Sequence, residues 1–125
     1  MQGDVRPVGF PIPQWRPRPY PPATTMVGRY CRLERLSAER HAAELFAACA
    51  GAPENWIYLH QDPPADFAEY ENWVAASAQR DDPFYYAIIA GDRRRALGVA
   101  ALMRIDPANG VIEVGSIHYA PALQR

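Results

Sequence analysis

The sequence of 125 residues contains no lysine, because all 13 of its basic residues are arginines. A Schiff-base lysine and a phosphate-loop lysine are therefore both excluded. The formal net charge is only -1 at pH 7, since 14 acidic residues balance the arginines. A chain with so little net charge is poorly suited to general binding of nucleic acid or of an anionic membrane. We expect neither as a partner.

Cysteines and long apolar segments are also scarce. Cys31 and Cys49 lie on different predicted elements without metal-binding or redox spacing, and His41, His60 and His118 add no ligand spacing. We therefore expect reduced thiols and no metal site. No apolar run approaches about 18 residues, and the N-terminus lacks a signal-type hydrophobic core. The sequence predicts a soluble, cytoplasmic protein.

Proline, in contrast, is concentrated at the N-terminus. Residues 1–22 hold seven of the 13 prolines, and proline both fixes φ and removes a backbone donor. We therefore divide the chain into an extended arm, 1–23, and a folded domain, 24–125. Two interpretations of the arm are open. It is either a ligand for an aromatic-lined groove on a partner, or a leader that is frayed or packs on its own domain, with Trp15 and Tyr20 as anchors.

The first half of the domain reads as one strand and two helices. Arg29–Leu36 alternates with charges on both faces, which is typical of a strand near a sheet edge. Ser37 is placed to cap a helix that ends before Gly51, and His41 is expected at its surface or rim. Asp66 begins a second helix in a capping-box arrangement.

Three apolar strands follow, at Phe84–Ala90, Ala96–Ile105 and Val111–Tyr119. The last two are separated by Asn109-Gly110, a strong signal for a hairpin turn. The predicted fold is therefore of the α+β class, with a strand, two helices and then a three-strand antiparallel meander.

The strand Val111–Tyr119 carries the candidate chemistry. Strict alternation places Glu113 and Gly115 on one face, and Ser116 and His118 on the other. A carboxylate buried within an apolar strand is suited to general-base catalysis, so Glu113 is the first candidate and the imidazole of His118 is the second. The alternatives are a rim glutamate paired with an arginine, and a histidine that only packs. Ser116 does not lie in a G-x-S-x-G elbow, which argues against a serine hydrolase.

Several of these segments together resemble the GNAT N-acetyltransferases, most closely the RimJ/RimL-like branch. The resemblance covers the N-terminal half of that fold and about four-fifths of this chain. It is carried by GRYCRLERL (28–36), NWIYL (55–59), DPFYYAII (82–89) and ALGVAALMRIDPANGVIEVGSIHYAPALQR (96–125).

The resemblance implies acetyl transfer from acetyl-CoA, as co-substrate, to a primary amine by direct attack in a ternary complex. The acceptor would be a protein N-terminus or a small amine. In this family the strand that corresponds to Val111–Tyr119 bulges near its C-terminal end. Its unpaired backbone amides bind pantetheine and polarise the thioester carbonyl. The implied coenzyme-binding residues are Ile117, His118, Tyr119, Gln124 and Arg125, and the implied substrate-binding residues are Trp56, Tyr58 and Ser116.

The family pattern continues beyond what this sequence contains. Gln124-Arg125 would open the family's pyrophosphate-binding loop, and the helix and strands that follow it are absent here. We therefore expect a GNAT-like fold without its C-terminal half, and weak or no turnover by the chain. The alternative is a non-catalytic interaction module that uses an exposed sheet edge and the proline-rich arm, and a homodimer is compatible with it.

Overall fold

The computed structural model describes residues 7–49, 63–92 and 94–124. These residues form a five-stranded antiparallel sheet in the order β1-β2-β3-β4-β5, together with two helices. The elements are β1 (Met26–Val27), β2 (Cys31–Arg35), α1 (Ala38–Cys49), α2 (Phe67–Ala78), β3 (Phe84–Ala90), β4 (Ala96–Asp106) and β5 (Val111–Tyr119), followed by a 3₁₀ turn at Pro121–Leu123.

The predicted α+β arrangement is confirmed over the described residues. The bounds of β3 and β5 are those predicted, and β4 is one residue longer. The two-residue strand β1 was not predicted, because it is too short to show a period and ends where Gly28 turns the chain into β2.

The helices pack on one face of the sheet and supply most of the core. The buried side chains of this face come from β2–α1, both helices, β3 and β4, and they include Leu36, Leu45, Val74, Tyr85 and Val99. Rings from both helices and β3 continue the same layer: Trp73 meets Tyr85 edge-on, with ring centroids 5.6 Å apart.

His41 is buried, so the expectation of a surface or rim position is wrong. Ser37 caps α1 by accepting a hydrogen bond from Arg40 N, and its own N–H donates to His41 Nδ1 over 3.0 Å. The other ring nitrogen, Nε2, lies 3.3 Å from a carboxylate oxygen of Glu34. The imidazole is therefore held inside the fold by the helix start on one side and by β2 on the other.

Glu34 is a buried carboxylate with three cationic or polar neighbours. Burial alone would raise its pKa, but hydrogen bonds from His41 and Arg32 and the positive charges of Arg40 and Arg32 outweigh burial, and the pKa of Glu34 is lowered. A carboxylate whose pKa falls on folding stabilises the protein above its ordinary pKa. That contribution disappears as the pH drops through the lowered value.

The second helix begins as its sequence predicts. Asp66 accepts a hydrogen bond from Glu69 N over 2.8 Å, and the carboxylate of Glu69 accepts one from Ala65 N over 3.2 Å. The side chain of Glu69 thus satisfies the donor one residue before the cap, which differs slightly from a standard capping box.

The arm packs on the domain through both of its expected anchors, which bond to loop carbonyls, and it also contacts the face of the sheet away from the helices. Trp15 Nε1 donates to the carbonyl of Ala108 over 3.0 Å, and Tyr20 donates through its hydroxyl to the carbonyl of Asp81. Tyr86, on the face of β3 away from the helices, donates to the carbonyl of Pro22 over 3.2 Å. The arm therefore lies across the sheet from β3 to the β4–β5 turn.

Among the described residues, no helix is long and apolar enough to cross a membrane.

We expect Gly110→Ala to lower the free energy of unfolding by at least about 1 kcal/mol, since left-handed backbone costs a non-glycine residue roughly 1–2 kcal/mol. Gly110 has φ +64, and an added Cβ would also lie 2.8 Å from Cζ2 of Trp15. Gly9→Ala, in the arm, is the matched control, because a Cβ added at Gly9 would meet nothing within 4 Å. Urea denaturation of both variants measures the difference, and equal stabilities would contradict the left-handed backbone at Gly110 and the packing of Trp15 against it.

Candidate active site

The strand β5 lies at the edge of the sheet formed by the described residues. It pairs with β4 on one side, and no described strand pairs with its other side. Between the pairs Val99–His118 and Ala101–Gly115, two residues of β5 oppose only one residue of β4. This is a β-bulge at Ser116 and Ile117, and Ser116 adopts φ +47.

The bulge corrects the predicted assignment of faces. Residues directly opposite each other in an antiparallel pair share a face. Glu113 lies opposite Met103, and His118 lies opposite Val99, which belongs to the helix-facing core. Because the bulge adds one residue to the alternation, Glu113 and His118 share the helix-facing side instead of lying on opposite faces.

Glu113 is half-exposed and has a cationic neighbour. Its Oε2 lies 3.3 Å from Nε of Arg104, with the two side chains 46% and 77% exposed. This is the rim arrangement that the sequence left open as an alternative. An exposed ion pair is weak in water, so the carboxylate stays available to other groups.

A second bulge places Arg104. It lies in β4 between the pairs Met103–Glu113 and Asp106–Val111, and Arg104 adopts φ +50. The carboxylate of Asp82 accepts hydrogen bonds from the N–H groups of Arg104 and Ile105, each over 2.9 Å. Sequence reasoning missed Asp82 and Arg104, and the Asp82-Pro83 step before β3 gave no sign of this contact.

His118 occupies a different environment from Glu113, although the two share a face. Its side chain is buried, and burial lowers the pKa of the imidazole. Nδ1 lies 3.7 Å from Sγ of Cys49 at the end of α1, and burial raises the pKa of that thiol to about 11. A neutral imidazole and a protonated thiol therefore meet between the helix and β5, and the thiol is unsuited to nucleophilic attack at neutral pH.

The backbone N–H and C=O groups of Tyr119 point away from β4. Ala120 N donates to Leu97 O over 2.8 Å, which makes the Gly98–Tyr119 pair the type without mutual hydrogen bonds. The N–H and C=O of Tyr119 are thus directed to the open edge, whereas those of His118 face β4. The carbonyl of Tyr119 accepts a hydrogen bond from Nε2 of Gln124 over 2.8 Å.

The space over the bulge is filled by Met103. An added Cβ at Gly115 would overlap its sulfur atom, and Ser116 Oγ donates weakly to the same sulfur over 3.9 Å. The close approach that Gly115 permits is therefore that of the chain's own thioether. Ser116 itself is exposed.

Other candidate residues are placed elsewhere or are not described. Trp56, Tyr58 and Arg125 lie outside the described residues. Within residues 7–49, 63–92 and 94–124, no cluster of three or more His, Cys, Asp or Glu could hold a metal ion. A cavity of about 640 Å³ lies between α1 and the 3₁₀ turn, lined by Glu44, Arg95 and several alanines. It does not include the candidate residues of β5.

No family model matches the chain, and no curated protein matches it. Among solved structures, it is similar to a GCN5-related N-acetyltransferase from Brucella melitensis, at 44% identity and a TM-score of 0.87 over 90% of this chain. It is also similar to a probable acetyltransferase of the GNAT family from Chromobacterium violaceum, at 30% identity and a TM-score of 0.83 over 99% of this chain.

The chain covers 52% of the first of these proteins and 63% of the second. It thus spans only part of the length of the structures it matches. Both neighbours are GNAT-family acetyltransferases, and this chain shares the fold of the part of them that it matches.

We expect Ser116→Gly to raise the free energy of unfolding by up to about 1 kcal/mol, because glycine adopts φ +47 without the steric cost that serine bears. The same substitution at a regular position of β5, Val114→Gly, should lower it by about 1 kcal/mol. Urea denaturation of both variants measures the two changes. Losses of similar size at both positions would contradict a strained bulge at Ser116.

Proposed function

Because the chain is similar to GNAT-family N-acetyltransferases along nearly all of its length, we propose that it acts in the transfer of an acetyl group from acetyl-CoA to a primary amine. The acceptor is a protein N-terminus or a small amine, as in the RimJ/RimL-like branch, and it attacks directly in a ternary complex. One observation carries the proposal: the bulged edge strand β5 presents an exposed carboxylate, Glu113, on its helix-facing side and an outward N–H, that of Tyr119, at its open edge.

Glu113 is the proposed general base. An amine is largely protonated at neutral pH, so it must lose a proton before it can attack a thioester. The carboxylate of Glu113 is exposed and can accept that proton directly or through water. The imidazole of His118 is neutral and could in principle accept a proton, but its ring is buried against α1. We therefore assign His118 the secondary role of packing the strand behind the site.

The outward main chain of β5 is the proposed binding edge for acetyl-CoA. An N–H aimed at the thioester oxygen stabilises the negative charge that develops there during attack. Tyr119 offers such a donor, and Ile117 lies two residues before it, in the bulge. Gln124 is bound to the carbonyl of Tyr119, which fixes the start of the proposed pyrophosphate side. We propose Arg125 for the same side, and Trp56, Tyr58 and Ser116 for the acceptor side.

The described residues offer one strand edge to the coenzyme. In an acetyltransferase site, orientation of both reactants supplies much of the rate. We therefore expect residues 1–125 to bind acetyl-CoA weakly and to transfer acetyl groups slowly.

The experiment is a single-turnover assay with excess protein, radiolabelled acetyl-CoA and a short alkylamine. We expect slow transfer above the buffer rate, and a loss of about 100-fold or more in Glu113→Gln, which is typical when a general base is removed. Glu71→Gln, on the exposed face of α2, is the matched control and should keep the wild-type rate. Wild-type transfer no faster than buffer, or full activity in Glu113→Gln, would refute the proposed role.

A non-catalytic interaction module is the alternative proposal, and the surface of β5 favours it. Val111, Ile112 and Val114 are 47–62% exposed on a strand with an unpaired edge among the described residues. Exposed apolar edges are sites of strand addition by another chain. This alternative predicts self-association that rises with concentration and is indifferent to acetyl-CoA. Sedimentation velocity with and without acetyl-CoA separates it from the transferase, which should remain monomeric over the same range.

A further inference from the structure

The ion pair between Arg104 and Glu113 points to the way in which the site takes its acceptor. We propose that the guanidinium of Arg104 occupies, in the unliganded chain, the place that the ammonium group of the acceptor takes beside Glu113. The inference rests on the proposed function, since it assumes that Glu113 faces the acceptor amine. It goes further by naming the residue that competes with the acceptor and the chemistry that the acceptor must offer.

The exposure of the pair makes this exchange possible. Nε of Arg104 and Oε2 of Glu113 are 3.3 Å apart, while 77% and 46% of their side chains remain exposed. Water and salt screen such a pair, so it holds the two groups together only weakly. A second cation with the same charge can therefore replace the guanidinium without leaving a buried, unpaired carboxylate.

The backbone beneath Arg104 is fixed, which distinguishes this arginine from an ordinary surface residue. Its φ of +50 is disfavoured for a residue with a side chain, and the carboxylate of Asp82 holds that conformation through two hydrogen bonds of 2.9 Å. An outlier of this kind that is held by its surroundings motivates a functional hypothesis. Asp82 is the positioning residue here: it fixes the root of a side chain whose charged end can still move.

The surface around Glu113 fits the alkyl part of an amine. Met103 lies opposite Glu113 in the neighbouring strand, and its thioether extends over Gly115 towards the hydroxyl of Ser116. Thioethers adapt to apolar groups of varied shape. If the ammonium group of an amine binds at Glu113, the methylene groups of its alkyl chain can therefore lie along Met103. The acceptor class that this surface favours is a primary amine on an unbranched alkyl stem.

The test measures amine binding without acetyl-CoA. Residues 1–125, labelled with ¹⁵N, are titrated with n-butylammonium chloride at constant ionic strength while the arginine Nε–H resonances are followed by NMR. We expect a saturable shift of the Arg104 signal. The Nε–H of Arg32, which donates to Glu34 on β2, is the internal control and should not move. 1-Butanol, which has the same stem without the charge, should produce no shift of Arg104.

Variants then identify the competitor. Arg104→Gln should tighten butylammonium binding about two- to five-fold, the range expected when a weak exposed ion pair no longer competes. Arg104→Lys keeps a competing cation and should retain the wild-type affinity. Arg94→Gln is the matched control, because Arg94 is also exposed with a positive φ but lies on the β3–β4 turn. Glu113→Gln should abolish saturable binding.

Two results would overturn the inference. One is an affinity in Arg104→Gln that equals or falls below that of the wild type. The other is unchanged saturable binding in Glu113→Gln. The assay also separates this inference from the proposed function. Amine binding of the expected pattern without acetyl transfer would refute the transferase alone, whereas transfer with no effect of Arg104 on amine affinity would refute this inference alone.

Discussion

The pairing of β4 with β5 is the constraint on which the candidate site depends. A regular antiparallel ladder would alternate the side chains of β5 strictly between the two faces. Two bulges interrupt the ladder, and each contains a non-glycine residue with a left-handed backbone, Ser116 in β5 and Arg104 in β4. The first brings Glu113 and His118 to the same face. The second turns a guanidinium towards that carboxylate, so the two bulges together define the surroundings of Glu113.

Coverage by the helices then separates the two titratable groups of that face. His118 lies at the end of β5 that contacts Cys49 of α1, and burial there favours its neutral form. Glu113 lies towards the β4–β5 turn, beyond this cover, and remains half-exposed. A group that must exchange a proton with an incoming amine has to be reached by it. Position along the strand, rather than intrinsic acidity, therefore favours Glu113.

The sequence was a good guide to the elements and a poor guide to the geometry of the site. Apolar runs and an Asn-Gly turn were enough to predict β3 and β5 to the residue. The residues of β5 do not themselves indicate its bulge, because Ser116 rather than glycine occupies the left-handed position, and only the family resemblance implied a bulge near the C-terminal end of this strand. His41 was misplaced for a related reason: its burial depends on Glu34, which only the folding of β2 against α1 brings near.

The proline-rich arm explains a feature of the core that the helices alone do not. All seven residues of β3 are buried, although the helices cover only one face of the sheet. On the other face Tyr86 is bound to Pro22, and the same arm reaches the β4–β5 turn through Trp15. A segment whose prolines lack backbone donors can lie across a sheet without competing for its ladder. The arm therefore covers part of the second face, at Tyr86, and at its far end contacts the turn from which the bulged strand begins.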